Sequence, residues 1–236
     1  MMMRKIADFH SHILPGMDDG SESPEESIAM LRMESEQGID HVIATPHFYP
    51  RHETPEGFLR KRDQAEAMLM AAVQSAGNLP QISVGAEVRF FRGISEAEAL
   101  PQLTIRGKHC ILIEMPPPPW PESYYQELDA IWRRRGITPV IAHIDRYIRP
   151  FRTYKIPERL QQLPVMVQAN SGFFLEHRTR RMALKMLHRN QIQLLGSDCH
   201  NLTNRLPNLG QALQIIEKHL GQSAILQLEE WQNRIL

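Results

Sequence analysis

Seven short runs rich in β-branched and aliphatic residues alternate with amphipathic stretches along this chain, and that alternation limits its fold more than any other feature. The runs cover residues 6–12, 41–47, 82–88, 110–115, 138–144, 164–170 and 192–198. Strand followed by helix, repeated throughout, implies a parallel sheet. Seven such units predict closure into a distorted α/β barrel, with an open doubly wound sheet as the alternative. The first helical pattern opens at Ser23-Pro24-Glu25-Glu26, where serine caps, proline takes the first turn and acids meet the positive dipole end. Further helices are expected over residues 55–75, 122–135, 179–189, 206–219 and 224–235, with Gly38, Gly77, Gly136 and Gly221 at helix stops. No repeat or linker interrupts the pattern, so residues 1–236 are expected to form one domain. Residues 116–121, four prolines followed by Trp120 and Pro121, predict a stiff, extended loop after the fourth strand.

Barrels of this kind collect their chemistry at the C-terminal ends of the strands. The first run ends in Asp8-x-His10-x-His12, the second in Thr45-Pro46-His47, and the third in Gly85-Ala86-Glu87. Glu114, His143, Asn170 and the pair Asp198-x-His200 follow on the remaining four. Side chains two apart on a strand share a face, so His10 converges with His12 and Asp198 with His200. The first and last strands of a closed barrel are neighbours, which brings the two pairs together. Asp8 is expected on the same face, as an acceptor that orients a histidine. The turn Gly16-Met17-Asp18-Asp19-Gly20 adds two carboxylates. A lone buried His or Glu is usually a satisfied polar group, but so many ionisable groups buried together need compensation, which bound cations provide. His41, His52, His109, His177, His188 and His219 fall elsewhere and read as structural or solvated.

Composition excludes some classes of function. Lys plus Arg and Asp plus Glu both number 27, which argues against an obligate nucleic-acid binder. The clusters Arg133-Arg134-Arg135 and Arg178 to Arg181 read as solvated helix faces. The basic start is followed at once by Asp8, His10 and His12, leaving no signal-peptide core, and no apolar run is long enough to cross a bilayer. With two cysteines, Cys110 and Cys199, in or beside buried strands, a reduced cytoplasmic protein is expected.

Taken together, Asp8-Phe9-His10-Ser11-His12 through Gly16-Met17-Asp18-Asp19-Gly20-Ser21 closely resembles the opening of bacterial protein-tyrosine phosphatases of the polymerase and histidinol phosphatase (PHP) superfamily. Ala44-Thr45-Pro46-His47, Gly85-Ala86-Glu87, Ile141 to Tyr147 and Gly196 to Asn201 resemble that family's later motifs, in the same order. The resemblance implies a distorted (β/α)7 barrel of PHP type with three metal ions. It assigns one ion to His10, His12, Glu87 and Asp198, and a second to Glu87, Glu114 and His143. The third falls to Asp19, His47 and His200, with Asp18 as the alternative to Asp19. Arg146 and Arg205 match arginines that grip substrate phosphate. The activity implied is hydrolysis of phosphotyrosine on protein by a metal-bridging hydroxide, without a phospho-enzyme. Mixed His and carboxylate ligands suit manganese, iron or zinc, and the resemblance favours manganese. The family's usual substrate is the C-terminal tail of a tyrosine autokinase that governs capsule or exopolysaccharide export. Trp120, Tyr147, Phe173 and Phe174 are placed to flank a phenyl ring or, equally, to plug the barrel end.

Rival readings make distinct demands. Cys199 to Arg205 fits the Cys-x5-Arg spacing of thiolate phosphatases, yet that loop has no glycine to wrap its amides around phosphate. A small-molecule phosphoesterase such as a histidinol-phosphate phosphatase would share the fold, but that branch carries a histidine where Asp18-Asp19-Gly20 stands. Amidohydrolases also begin with His-x-His but place a lysine where this chain has Glu114. A non-catalytic metal-dependent binding module is the remaining alternative.

Overall fold

The computed structural model describes residues 6–148, 152 and 154–236, so the basic start, residues 1–5, lies outside them. Its strands are β1 (Ala7–Ser11), β2 (His41–Ala44), β3 (His47–Phe48), β4 (Gln81–Val84), β5 (Glu87–Arg89), β6 (Cys110–Glu114), β7 (Thr138–Ile141), β8 (Met166–Asn170) and β9 (Leu194–Gly196). Every pairing between them is parallel. The neighbour orders are β1-β2-β4 and β3-β5-β6-β7-β8-β9.

These pieces amount to the seven expected runs, because two runs are each broken once. The second breaks at Thr45-Pro46, where proline has no N–H for the ladder, and the third at Gly85-Ala86. Backbone bonds carry the pairing across both breaks, from Gly85 N to Ala44 O (2.8 Å) and from Glu87 N to Pro46 O (2.9 Å). The last run returns to the first. Asp198 N donates to His10 O at 2.7 Å and His12 N to Cys199 O at 2.9 Å. The succession of strands is therefore closed.

Helices α1 (Pro24–Glu36), α2 (Pro55–Val73) and α3 (Glu122–Arg135) start where the sequence places them. Ser23 caps α1 by accepting from Glu26 N, and Thr54 caps α2 by accepting from Gly57 N. Two short helices, α4 (Ile156–Leu160) and α5 (Ser171–Leu175), carry too few turns for a periodic signal. Beyond them lie α6 (His177–His188), α7 (Leu209–Leu220) and α8 (Gln222–Asn233). Among the described residues no helix is long and apolar enough to cross a membrane.

Strand alternation divides the core. Val42, Ile111, Ile113, Ile141 and Val167 pack outward with helix residues such as Leu31, Leu69, Leu128 and Leu187. Ala7, Phe9, Ile43, Leu112, Val140 and Leu194 form a second, inner cluster. Trp231, Ile235 and Leu236 pack against that inner cluster, so the C-terminal segment covers one end of the barrel. Gln232 adds a hydrogen bond there, its Oε1 accepting from Ala7 N at 2.9 Å. The opposite end is left for chemistry.

Candidate metal centre

Strand parity needs one correction to place the first histidines. Ala7 and Phe9 belong to the inner apolar cluster, yet His10 and His12, of opposite parity, also reach inward. The β1–β2 register shifts between Asp8 and Ser11, and this irregularity lets both sets face the interior. Asp8 consequently does not orient a histidine ring. Its Oδ1 accepts from the backbone amides of His10 (3.0 Å) and Ser197 (2.9 Å), and its carboxyl groups with Glu34 and Cys199 behind the strand.

Other side chains do the orienting. Asp18 Oδ2 lies 2.7 Å from His12 Nδ1 and also accepts from His47 N at 2.9 Å. Gln168 Oε1 lies 3.4 Å from His10 Nδ1 and accepts from His143 N at 2.6 Å. Both acceptors require a proton on the δ nitrogen, so each ε nitrogen presents a lone pair. Those two ε nitrogens stand 3.1 Å apart. Glu87 Oε2 lies 3.1 Å from His10 Nε2 and 3.5 Å from His12 Nε2, and Asp198 Oδ1 lies 3.5 Å from each. Four acceptors thus surround one point.

Electrostatics points the same way. Burial would lower the pKa of His10, but Glu87 and Asp198 outweigh it and raise it. Burial is likewise overcome at His12, chiefly by Asp18, and the ring is held well above its ordinary value. Glu87 and Asp198 are held well below theirs against the same burial, by His10 together with the other imidazoles and, for Asp198, Arg146. The spot attracts positive charge, which protons on the imidazoles supply in part and which a bound cation would supply while using all four acceptors at once.

Glu87 links this group to the rest. Its Oε1 lies 2.8 Å from His143 Nε2, and its Oε2 lies 2.9 Å from His47 Nδ1. Ligand atoms of His47, Glu87 and Glu114 come within 4.8 Å of one another, so His47 approaches the set that the sequence assigns to Glu87, Glu114 and His143. A further set joins His12, Asp19, His47 and His200, with His200 Nε2 3.3 Å and His47 Nε2 3.5 Å from Asp19 Oδ1. Burial, with His12 and Arg205 nearby, lowers His200 to about 4, keeping it a neutral donor of electrons near pH 7. The two aspartates of the turn therefore divide the work. Asp18 is tucked beneath His12, while Asp19, 66% exposed at its side chain, faces the His47–His200 pair. Among the described residues His143 Nδ1 is buried without a hydrogen bond, and His47 Nδ1, His200 Nε2 and Glu114 Oε2 are buried with ion-pair contacts of 2.8–3.3 Å but no directed hydrogen bond. Orphaned buried acceptors of this kind fit a site built around cations.

Two of these residues, His143 (φ +33°) and Asp198 (φ +55°), occupy the left-handed backbone region, which costs about 1–3 kcal/mol each and recurs at functional sites. Arg146 Nη2 donates to Asp198 Oδ2 at 2.5 Å, and Arg205 Nη2 to Asp198 Oδ1 at 2.7 Å. Asn170 Nδ2 adds a third bond to the same carboxylate at 2.9 Å. Both arginines border a cavity of about 390 Å³ with Asn170 and Phe173. Of the four aromatic residues, only Phe173 lines this cavity. Trp120 donates to Pro116 O at 2.7 Å and meets Tyr147 edge-on, Tyr147 accepts from Met115 N, and Phe174 is fully buried. These three belong to the apolar cluster between strands and helices. Sequence reasoning missed Gln168 as an orienting group, although it lies two residues before Asn170 on the same strand face.

The thiolate alternative finds no support. Cys199 is fully buried, and burial, with Asp8 and Glu34 beside it, pushes its thiol well above the ordinary value. A protonated, inaccessible thiol is a poor nucleophile.

The sequence profile of the family described as capsular polysaccharide synthesis, CpsB/CapC, matches residues 6–234. The chain is 31% identical over 235 residues to the tyrosine-protein phosphatase YwqE of Bacillus subtilis (strain 168), spanning 95% of this chain and 89% of that one. It is also 31% identical over 231 residues to the tyrosine-protein phosphatase CpsB of Streptococcus pneumoniae, spanning 92% and 91%. The solved structure described as YwqE from Bacillus subtilis and CpsB from Streptococcus pneumoniae, "unique metal-dependent tyrosine phosphatases", superposes with a TM-score of 0.79. That match has 27% identity and covers 95% of this chain and 92% of that one.

Proposed function

Because this chain belongs to the CpsB/CapC family of capsular polysaccharide synthesis, we propose that it is a metal-dependent phosphatase that hydrolyses phosphotyrosine on protein. The convergence of His10, His12, Glu87 and Asp198 on one point, with spacings of 3.1–3.5 Å, carries this reading. These four would hold one divalent cation, Glu87, Glu114 and His143 a second, and Asp19, His47 and His200 a third. His47 also approaches the second set. Manganese is the favoured ion, with iron and zinc compatible with the same donors.

Bound divalent cations would supply an activated water near neutral pH and neutralise charge on phosphoryl oxygens. The chain's own residues prepare the ground for that chemistry. Asp18 and Gln168 fix the imidazole tautomers, and Asp198 anchors Arg146 and Arg205 at the cavity edge. In that position the two guanidinium groups would face a phosphate entering the site and stabilise charge growing on its equatorial oxygens. The substrate proposed is the C-terminal tail of a tyrosine autokinase that controls capsule or exopolysaccharide synthesis, met in the cytoplasm by a single domain spanning residues 1–236. The small-molecule phosphoesterase alternative lacks support of this kind, since the relatives reported above are named tyrosine phosphatases.

One experiment tests the reading. Metal content and turnover of a phosphotyrosine peptide are measured before and after chelation, with iodoacetamide treatment in parallel. Chelation should remove metal and activity together, restored by manganese, while alkylation leaves turnover intact. Full activity in metal-stripped protein, or loss of activity tracking alkylation of Cys199, would overturn it.

A further inference from the structure

A groove of about 920 Å³ opens beside the centre, bordered by Tyr49, Arg51, Arg89, Phe91, Arg92 and Tyr124. It is continuous with the candidate ligands. The Tyr49 ring stacks on His47, with centroids 5.0 Å apart and planes at 27°, and Arg89 Nη1 lies 2.8 Å from Glu114 Oε2. Residues 116–121 contribute Pro116 to its rim, which gives that stiff loop a place in the architecture.

The groove's chemistry departs from that of the chain as a whole. Acidic and basic residues balance overall, at 27 each, yet the lining carries three arginines and a histidine with no Asp or Glu. Arg89 is engaged by Glu114. Arg51 and Arg92 are exposed, and neither forms an ion pair with any other described residue. Cations left without partners on a concave wall, interleaved with aromatic faces, are complementary to carboxylates flanking an apolar or aromatic side chain. A nucleic-acid track would need a longer basic surface than this neutral chain offers.

We propose that this groove holds acidic peptide flanking the phosphotyrosine, with Arg51 and Arg92 pairing with its carboxylates and Tyr49, Phe91 and Tyr124 receiving its apolar side chains. The inference rests on the phosphotyrosine reading and names the class of sequence that such a substrate carries around the reacting residue.

The test uses the metal-loaded full chain and three substrates. Two are peptides with the same phosphotyrosine core, one flanked on both sides by Asp and Glu and the other by Ser and Gln. The third is p-nitrophenyl phosphate, which carries no flanking residues to pair with Arg51 and Arg92. The wild type should prefer the acidic peptide by about tenfold in kcat/KM, carried by KM, as expected for two partly solvated ion pairs. The double variant Arg51→Ser, Arg92→Ser should lose that preference and retain the wild-type rate on p-nitrophenyl phosphate. Equal turnover of the two peptides by the wild type, with the small ester hydrolysed, would overturn the groove assignment and leave the phosphatase reading standing. Equal losses on all three substrates in the double variant would also overturn it. Failure to hydrolyse any of the three would remove both.

Discussion

Asp18 illustrates how much one carboxylate can decide. It touches the His12 ring, the His47 amide and, at 2.9 Å, the Gly20 amide, so a single side chain holds the turn and sets a tautomer. The paired imidazole holds its carboxyl well below the usual carboxylate range, even though burial alone would raise it. Asp18→Asn keeps the shape but can offer an N–H to the δ nitrogen, which would move the ring proton onto the nitrogen facing the cations. Metal affinity should fall by about 10–100-fold, the usual effect of losing an outer-shell partner. Titration of metal-free protein with manganese, read by calorimetry, checks this. Unchanged affinity would reduce Asp18 to a turn residue. Sequence could not assign roles to Asp18 and Asp19, because adjacent carboxylates in a glycine-flanked turn have no parity to separate them. The candidate ligands other than Asp19 were legible as residue types, since each stands at or just past the end of a strand-like run.

At the level of elements, the seven runs and the long helices could be read because alternation and capping are local signals. Ser23-Pro24-Glu25-Glu26 announced α1 to the residue. The slip within β1 could not be read, since parity from Asp8 to His12 looks unbroken in the sequence and only pairing with β2 exposes the shift. The same limit hid the breaks that divide the second and third runs. It also concealed that Trp120 and Tyr147 pack against each other rather than flanking an opening. Caps and centre are separable in their effects. Ser23→Ala removes the acceptor for Glu26 N, 3.2 Å away, and should cost about 1 kcal/mol of stability in urea unfolding. Turnover per folded molecule should stay the same. A matching loss of activity would mean that α1 helps set the centre. Gly196 makes the contrast, because a Cβ there would meet His10 Cβ at 2.5 Å and Gln168 Nε2 at 2.8 Å. Bulk at that position strikes a candidate ligand and its orienting partner together.

Across the molecule, one end of the barrel is filled by the C-terminal segment and the other gathers charge that its own protons satisfy poorly. Cation binding to the folded state alone should therefore raise thermal stability, by about 4 kcal/mol when free metal exceeds Kd a thousandfold. Scanning calorimetry with manganese and with excess chelator measures the difference. Coincident melting curves would show that the clustered side chains need no metal to balance them. The location of Asp198 and His12 gives this coupling a direction. They lie where the first strand meets the last, beside the bonds His12 N to Cys199 O and Asp198 N to His10 O. An ion held there would act as a clasp on the seam where residues nearly two hundred positions apart must be brought together. Amide hydrogens along that seam, rather than those deep in the sheet, are the ones whose exchange should quicken first when the clasp is undone.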